Sequence, residues 1–176
     1  PLLQRTRVDM TLPTDTLIRA ELISFPNDPG DGNLPHPGSL EHYADGLLWL
    51  KGGHIHAAGH YAELVDQLPK AVEVIDHRGK LIMPGFIDTH VHYVQLDIMA
   101  YYGRQLLDWL NDYTFPAECQ FANHDHAKAL SEAFLNEMLR AGTTTAQVFG
   151  SSHPGSVDAF FAACQKRQLR MLVGKV

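Results

Sequence analysis

Cysteine is scarce in this chain, with only Cys119 and Cys164 among 176 residues. Two thiols so far apart make no disulfide framework, and both are expected as small apolar core residues rather than reactive groups. Long apolar runs are missing too. None approaches the ~20 residues of a membrane-spanning helix, and the opening residues lack the charged-then-apolar pattern of a secretory signal. The expectation is a reducing, cytoplasmic setting. Basic charge is also in short supply: 14 Lys and Arg face 20 Asp and Glu, a formal charge of −6. Electrostatics therefore gives no case for nucleic acid or a membrane as partner. What remains is globular material, 45% apolar and 19% charged, enough for the core of one domain, or of one domain and part of another.

Histidine, by contrast, is plentiful, and His-x-His occurs three times, so the pattern by itself selects nothing. His54-Ile55-His56 follows Gly52-Gly53, a two-residue hairpin turn after residues 46–51, and reads as the polar face of an amphipathic strand. His124-Asp125-His126 precedes Ala127-Lys128-Ala129-Leu130 at the start of a helix, where positions i and i+2 do not face each other. His90 and His92 differ in context. Pro84-Gly85-Phe86-Ile87-Asp88-Thr89-His90-Val91-His92-Tyr93-Val94-Gln95 reads as a short buried strand that ends in two histidines and runs into a loop. Alternation along a strand puts Asp88, His90 and His92 on one face, with Ile87, Thr89 and Val91 on the other. Neutral imidazole binds zinc, so the pair offers two corners of a metal site at a strand end, where strand-helix folds build ligand sites. The same spacing also suits two hydrogen-bonded core histidines. A zinc site that does chemistry usually takes three protein ligands and one open position, so the remainder has to come from elsewhere in the chain or from another chain.

Around this stretch the chain changes character. Residues 1–15 are polar and expected to be loosely held, residues 16–25 form a first strand, and a Pro/Gly/Asn-rich loop covers 26–39. The glycine hairpin comes next, then two turns of helix at 61–68 and two short strands, 72–75 and 81–83, around Asp76-His77-Arg78-Gly79-Lys80. From residue 84 strands alternate with helices. A helix over 98–113, with a break available at Gly103, crowds Leu106, Leu107, Trp109 and Leu110 together as packing residues. Leu130, Phe134, Leu135, Met138 and Leu139 form a second stripe ended by Gly142, and a β-branched strand spans 143–149. Val157, Phe160, Phe161 and Cys164 make a third stripe, introduced by Pro154-Gly155-Ser156 and followed by a strand over 169–173. His153 reads as a loop histidine facing solvent. Strand, helix, strand, helix, strand implies an α/β unit with a parallel sheet and right-handed crossovers, and the change of character sets a domain boundary between 1–83 and 84–176.

Three passages together carry a resemblance: residues 84–95, residues 102–118 with Trp109-Leu110, Tyr113-Thr114-Phe115-Pro116 and Glu118, and residues 141–150. The first resembles the amidohydrolase superfamily, whose opening barrel strand ends Pro-Gly-Phe-x-Asp-x-His-x-His; the second is closer to the guanine deaminase branch than to its relatives. The resemblance runs continuously from about residue 84 to 176 and more loosely before that. It implies a small β-sandwich over 1–83, completed by C-terminal strands, followed by the opening strands and helices of a (β/α)8 TIM barrel. A full barrel needs eight strands and typically ~250 residues, so the barrel is incomplete in this chain, which is expected to be an N-terminal piece or one part of a split assembly. The implied cofactor is zinc, with His90 and His92 as ligands, and the implied substrate is guanine, contacted by His92, Tyr93, Val94 and Gln95. Asp88 is in place to orient a ligand imidazole, and Trp109 becomes a candidate pocket wall. No catalytic proton-transfer residue is identified within the chain, and the isolated chain is expected to be inactive. The implied assembly is a homodimer of the complete protein, or a companion chain that completes the barrel. Two alternatives stay open: an amidohydrolase acting on another aminopurine, a pyrimidine or a triazine, and a non-catalytic fragment or structural subunit.

Overall fold

The computed structural model describes residues 15–31, 36–103 and 105–174; the expectation for residues 1–14 lies outside them. The chain divides into two compact units, 1–84 and 85–176.

In the first unit β1 (Asp15–Ser24), β2 (Glu41–Lys51), β3 (His54–His60) and β4 (Val74–Ile82) form one sheet in the order β3-β2-β1-β4. Hairpin pairing joins β1 to β2 and β2 to β3, whereas β4 runs parallel to β1. Leu17, Ala20 and Leu47 are fully buried and, with Leu22, form its core. Gly52 and Gly53 both take positive φ, +56° and +81°, the backbone a tight hairpin turn requires and one that side chains resist. Helix α1 (Tyr61–Leu64) continues as a 3-10 turn, Val65–Gln67. The two short strands expected at 72–75 and 81–83 are a single strand, β4, with a bulge. Two steps on β1, from Arg19 to Glu21, face five on β4, from Asp76 to Leu81. The extra residues fold on themselves: Asp76 accepts from the Arg78 main chain at 2.9 Å and from its guanidinium.

The second unit has the expected α/β order. Strands β5 (Phe86–His92), β6 (Thr143–Phe149) and β7 (Arg170–Gly174) form a parallel sheet in sequence order. Helices α4 (His124–Arg140) and α5 (Pro154–Arg167) supply the crossovers. Asn123 caps α4 by accepting from the main chain of Asp125 and His126, which satisfies two amides that the helix cannot pair itself. The core joins Tyr93, Phe121, Phe134, Leu135, Ala146, Val148, Phe160 and Cys164. On α5 the apolar stripe is rotated from its expected position: Ala159 and Ala163 are buried with Phe160 and Cys164, while Phe161 is 45% exposed. Leu139, the last member of the α4 stripe, is likewise on the surface.

Three further expectations are corrected here. Strand β5 is not buried: Ile87 is 69% exposed and Phe86 is also on the surface, because β5 is the edge strand of this sheet and packs chiefly on β6. The helix expected over 98–113 starts only at Leu106. Residues Tyr93–Ile98 form a 3-10 segment, and Ala100 then takes positive φ, which breaks the helical path. From Leu106 the helix runs past Tyr113 as α2 (Leu106–Trp109), a π segment (Leu110–Thr114) and α3 (Phe115–Cys119). Pro116 has no N–H for the preceding turn, and the wider π spacing sits where that ladder is interrupted. Leu106 and Leu107 are 70% exposed rather than packed.

The cysteines separate as well. Cys164 is in the core, but Cys119 is exposed, since Ala117 takes the inward position of α3 and a residue two places on points the other way. Burial pushes the Cys164 thiol up to about 11, so it stays protonated at pH 8, and only thiolate alkylates. Iodoacetamide at pH 8 is therefore expected to modify Cys119 in the folded protein and Cys164 at least ~100-fold more slowly. Peptide mass spectrometry checks this, and equal labelling rates would contradict the burial of Cys164.

Candidate active site

The edge strand β5 carries the two candidate histidines to its C-terminal end through an irregularity in pairing. Asp88 pairs with Ala146 and Val91 with Val148, so three steps on β5 face two on β6. Simple alternation would place Asp88 and Val91 on opposite faces; the extra residue aligns both with the packed face of β6. Asp88 turns back on its own strand, accepting from the His90 main-chain N–H at 3.0 Å. Asp88 thus braces the backbone beneath His90 with one carboxylate oxygen.

His90 and His92 do come together. Their ring centroids are 5.3 Å apart, and the Phe149 ring, paired with His92 at the end of β6, lies 4.7 Å from each. It stacks on His92 with only 13° between the planes. Burial, followed by the neighbouring charge of His90, holds the His92 pKa below the usual histidine value, and the Glu118 carboxylate opposes that shift. The net direction favours neutral imidazole, the form that ligates metal. Two imidazoles on one tetrahedral zinc, with nitrogens at 2.0–2.1 Å, would have ring centroids about 5 Å apart, so this pair fits two corners of such a site. Among the described residues no group of three or more His, Cys, Asp and Glu is placed to hold a metal ion.

Gln95 follows in the 3-10 turn. Its amide nitrogen donates to Glu118 Oε1 at 3.2 Å and to His92 Nδ1 at 3.3 Å, which links α3 to the histidine pair. Tyr93 and Val94 do not share that environment. Both side chains are buried, and the Tyr93 hydroxyl donates to the Ser156 carbonyl at 2.8 Å. Two consecutive side chains of this 3-10 turn therefore point into the core, and Gln95 is the one that turns to the histidine pair. Trp109 lies over Gly103 and donates to the Tyr101 carbonyl at 3.0 Å. Among the other histidines, His56 packs against Trp49 and His126 against Phe121, while the His153 carbonyl accepts from Ser156 at the start of α5.

Two residues of the site, Glu118 and Phe149, were not assigned a role from sequence. Glu118 belongs to the 102–118 passage whose resemblance was noted, which is the signal that could have found it. Phe149 gives none beyond its position at a strand end.

The amidohydrolase family model matches residues 81–176. A guanine deaminase of Escherichia coli (strain K12) is 46% identical over 138 residues, covering 78% of this chain and 31% of that protein. The solved structure of E. coli guanine deaminase superposes with a TM-score of 0.81 at 40% identity, over 91% of this chain and 37% of that one. A guanine deaminase from C. acetobutylicum, solved with guanine bound in its active site, superposes with a TM-score of 0.70 at 27% identity, over 91% of this chain and 36% of that one. The chain spans about a third of the length of the curated relatives it matches.

Proposed function

The chain belongs to the amidohydrolase family, and from that premise we propose that the protein carrying it is a zinc-dependent guanine deaminase, converting guanine and water to xanthine and ammonia in purine catabolism. The observation that carries the reading is the bridge made by Gln95 between His92 and Glu118, because all three residues lie in the passages that resemble guanine deaminases. His90 and His92 would hold the metal by ring nitrogens, with Phe149 fixing the plane of the His92 ring. Bound zinc supplies a Lewis-acid centre that lowers the pKa of its water from 15.7 to around 7. The further ligands and the proton-transfer groups would come from outside the described residues, in a homodimer of the complete protein or from a companion chain. Gln95 would meet the purine edge, where a carboxamide offers both an acceptor and donors. No helix among the described residues is long and apolar enough to cross a membrane.

Side-by-side turnover of guanine, adenine and cytosine by the zinc-loaded protein tests the substrate. Xanthine formation from guanine should dominate; preferred release of ammonia from either other base would redirect the assignment. Gln95→Ala is expected to raise KM for guanine about ten- to hundredfold, the worth of one or two lost hydrogen bonds to substrate, with zinc per chain unchanged. Parallel loss of zinc would make Gln95 a folding residue.

A further inference from the structure

The two bonds made by the Gln95 nitrogen do not survive metal binding equally. His92 Nδ1 can accept only while it is an unprotonated, unligated nitrogen. If a metal sits on Nδ1, the lone pair is used; if it sits on the other ring nitrogen, the neutral ring carries its proton on Nδ1. Either way Gln95 loses that acceptor. Glu118 Oε1 remains, and an ionised carboxylate accepts without donating. A carboxamide beside it must therefore present its nitrogen, since its oxygen would meet another oxygen without an intervening proton. With the nitrogen held on the side of Glu118 and His92, the carboxamide oxygen is the group left facing away from both, and it only accepts.

On this basis, and resting on the guanine deaminase reading, we propose that Glu118 is a positioning residue that fixes the Gln95 carboxamide with its oxygen toward the substrate, so that the site selects a purine edge bearing an N–H. Guanine carries such a proton on N1, beside its 2-amino group. Adenine has a lone pair at N1, which would face the oxygen unpaired, and a buried unpaired acceptor is a strong basis for rejection. The discrimination comes from the residue behind the contact, 23 positions along the chain from Gln95.

The test uses the zinc-loaded protein and two ligands, guanine and 2-aminopurine. The second keeps the 2-amino group, lacks the 6-oxo group and with it the N1 proton, and reports its own binding by fluorescence; guanine binding is read by its competition. Glu118→Gln keeps the size of the side chain but lets the facing amide take either orientation. The expected result is a fall of about tenfold in the preference for guanine over 2-aminopurine, the factor that one oriented hydrogen bond commands, at unchanged zinc content. Because Glu118 acts through Gln95, the same change made on a Gln95→Ala background should leave the preference where Gln95→Ala alone puts it. Equal weakening of both ligands, loss of zinc in Glu118→Gln, or a full additional effect on the Gln95→Ala background would each overturn the proposal. A wild-type protein with no preference for guanine would overturn the substrate reading and this proposal with it, and that result appears in the wild-type arm alone.

Discussion

On the proposed zinc-dependent reading, replacing His92 with alanine is expected to strip zinc from the protein and to lower guanine turnover by about 10⁴-fold or more, because hydrolysis at neutral pH would depend on lowering the pKa of water from 15.7 to around 7. The described residues offer the metal only two clustered imidazoles, so losing one removes half of this unit's contribution. His92 is the more consequential of the pair: burial lowers its pKa, it stacks on Phe149, and it is tied through Gln95 to α3. Alanine there deletes the proposed ligand and also removes the ring that the Phe149 face and the Gln95 nitrogen contact. Zinc per chain by elemental analysis, read together with xanthine formation, distinguishes this from general damage. Thr89→Ala on the exposed side of the same strand is the matched control and should keep its metal. Full zinc occupancy in His92→Ala would remove His92 from the ligand set.

The features legible in the sequence were those encoded by neighbouring residues. Thr143-Thr144-Thr145 states a strand through its own stiff side chains, and Gly52-Gly53 states a turn through its backbone freedom. The pairing of His90 with His92 follows from a two-residue repeat that holds over so short a distance. The irregularity between Asp88 and Val91 is a property of pairing with β6, invisible within β5 itself. The surface position of Leu106 and Leu107 had the same origin, since an apolar pattern states which residues can pack and not which neighbours are present. Glu118 lies 23 residues from Gln95, and Phe149 reaches His92 across β6, so both contacts belong to the tertiary fold and leave no local period to find. The rotation of the α5 stripe is a finer case: Ala159 and Ala163 read as neutral spacers, yet small residues let a helix approach closely, and they were buried in place of Phe161.

That rotation yields the largest stability prediction. A stripe at i, i+3, i+4 and i+7 treats Phe160 and Phe161 as equivalent core residues, whereas the structure separates them completely. Phe160 is wholly buried, with its ring 4.7 Å from Tyr93 and 6.0 Å from Phe134. Phe160→Ala is therefore expected to cost about 3–5 kcal/mol, from lost transfer free energy plus the cavity left in a tightly packed cluster. Phe161→Ala removes a ring that is already partly in water and should cost about 1 kcal/mol or less. Urea unfolding of both variants, compared at a common m-value, measures the difference. The consequence reaches the site, because Tyr93 follows His92 directly in the chain and rests on Phe160. Loosening that ring frees the turn carrying Gln95, so Phe160→Ala should also weaken guanine binding while Phe161→Ala leaves it intact. Equal destabilisation by the two substitutions would mean that the α5 face is turned differently in solution, and the connection from the core to His92 would fall with it.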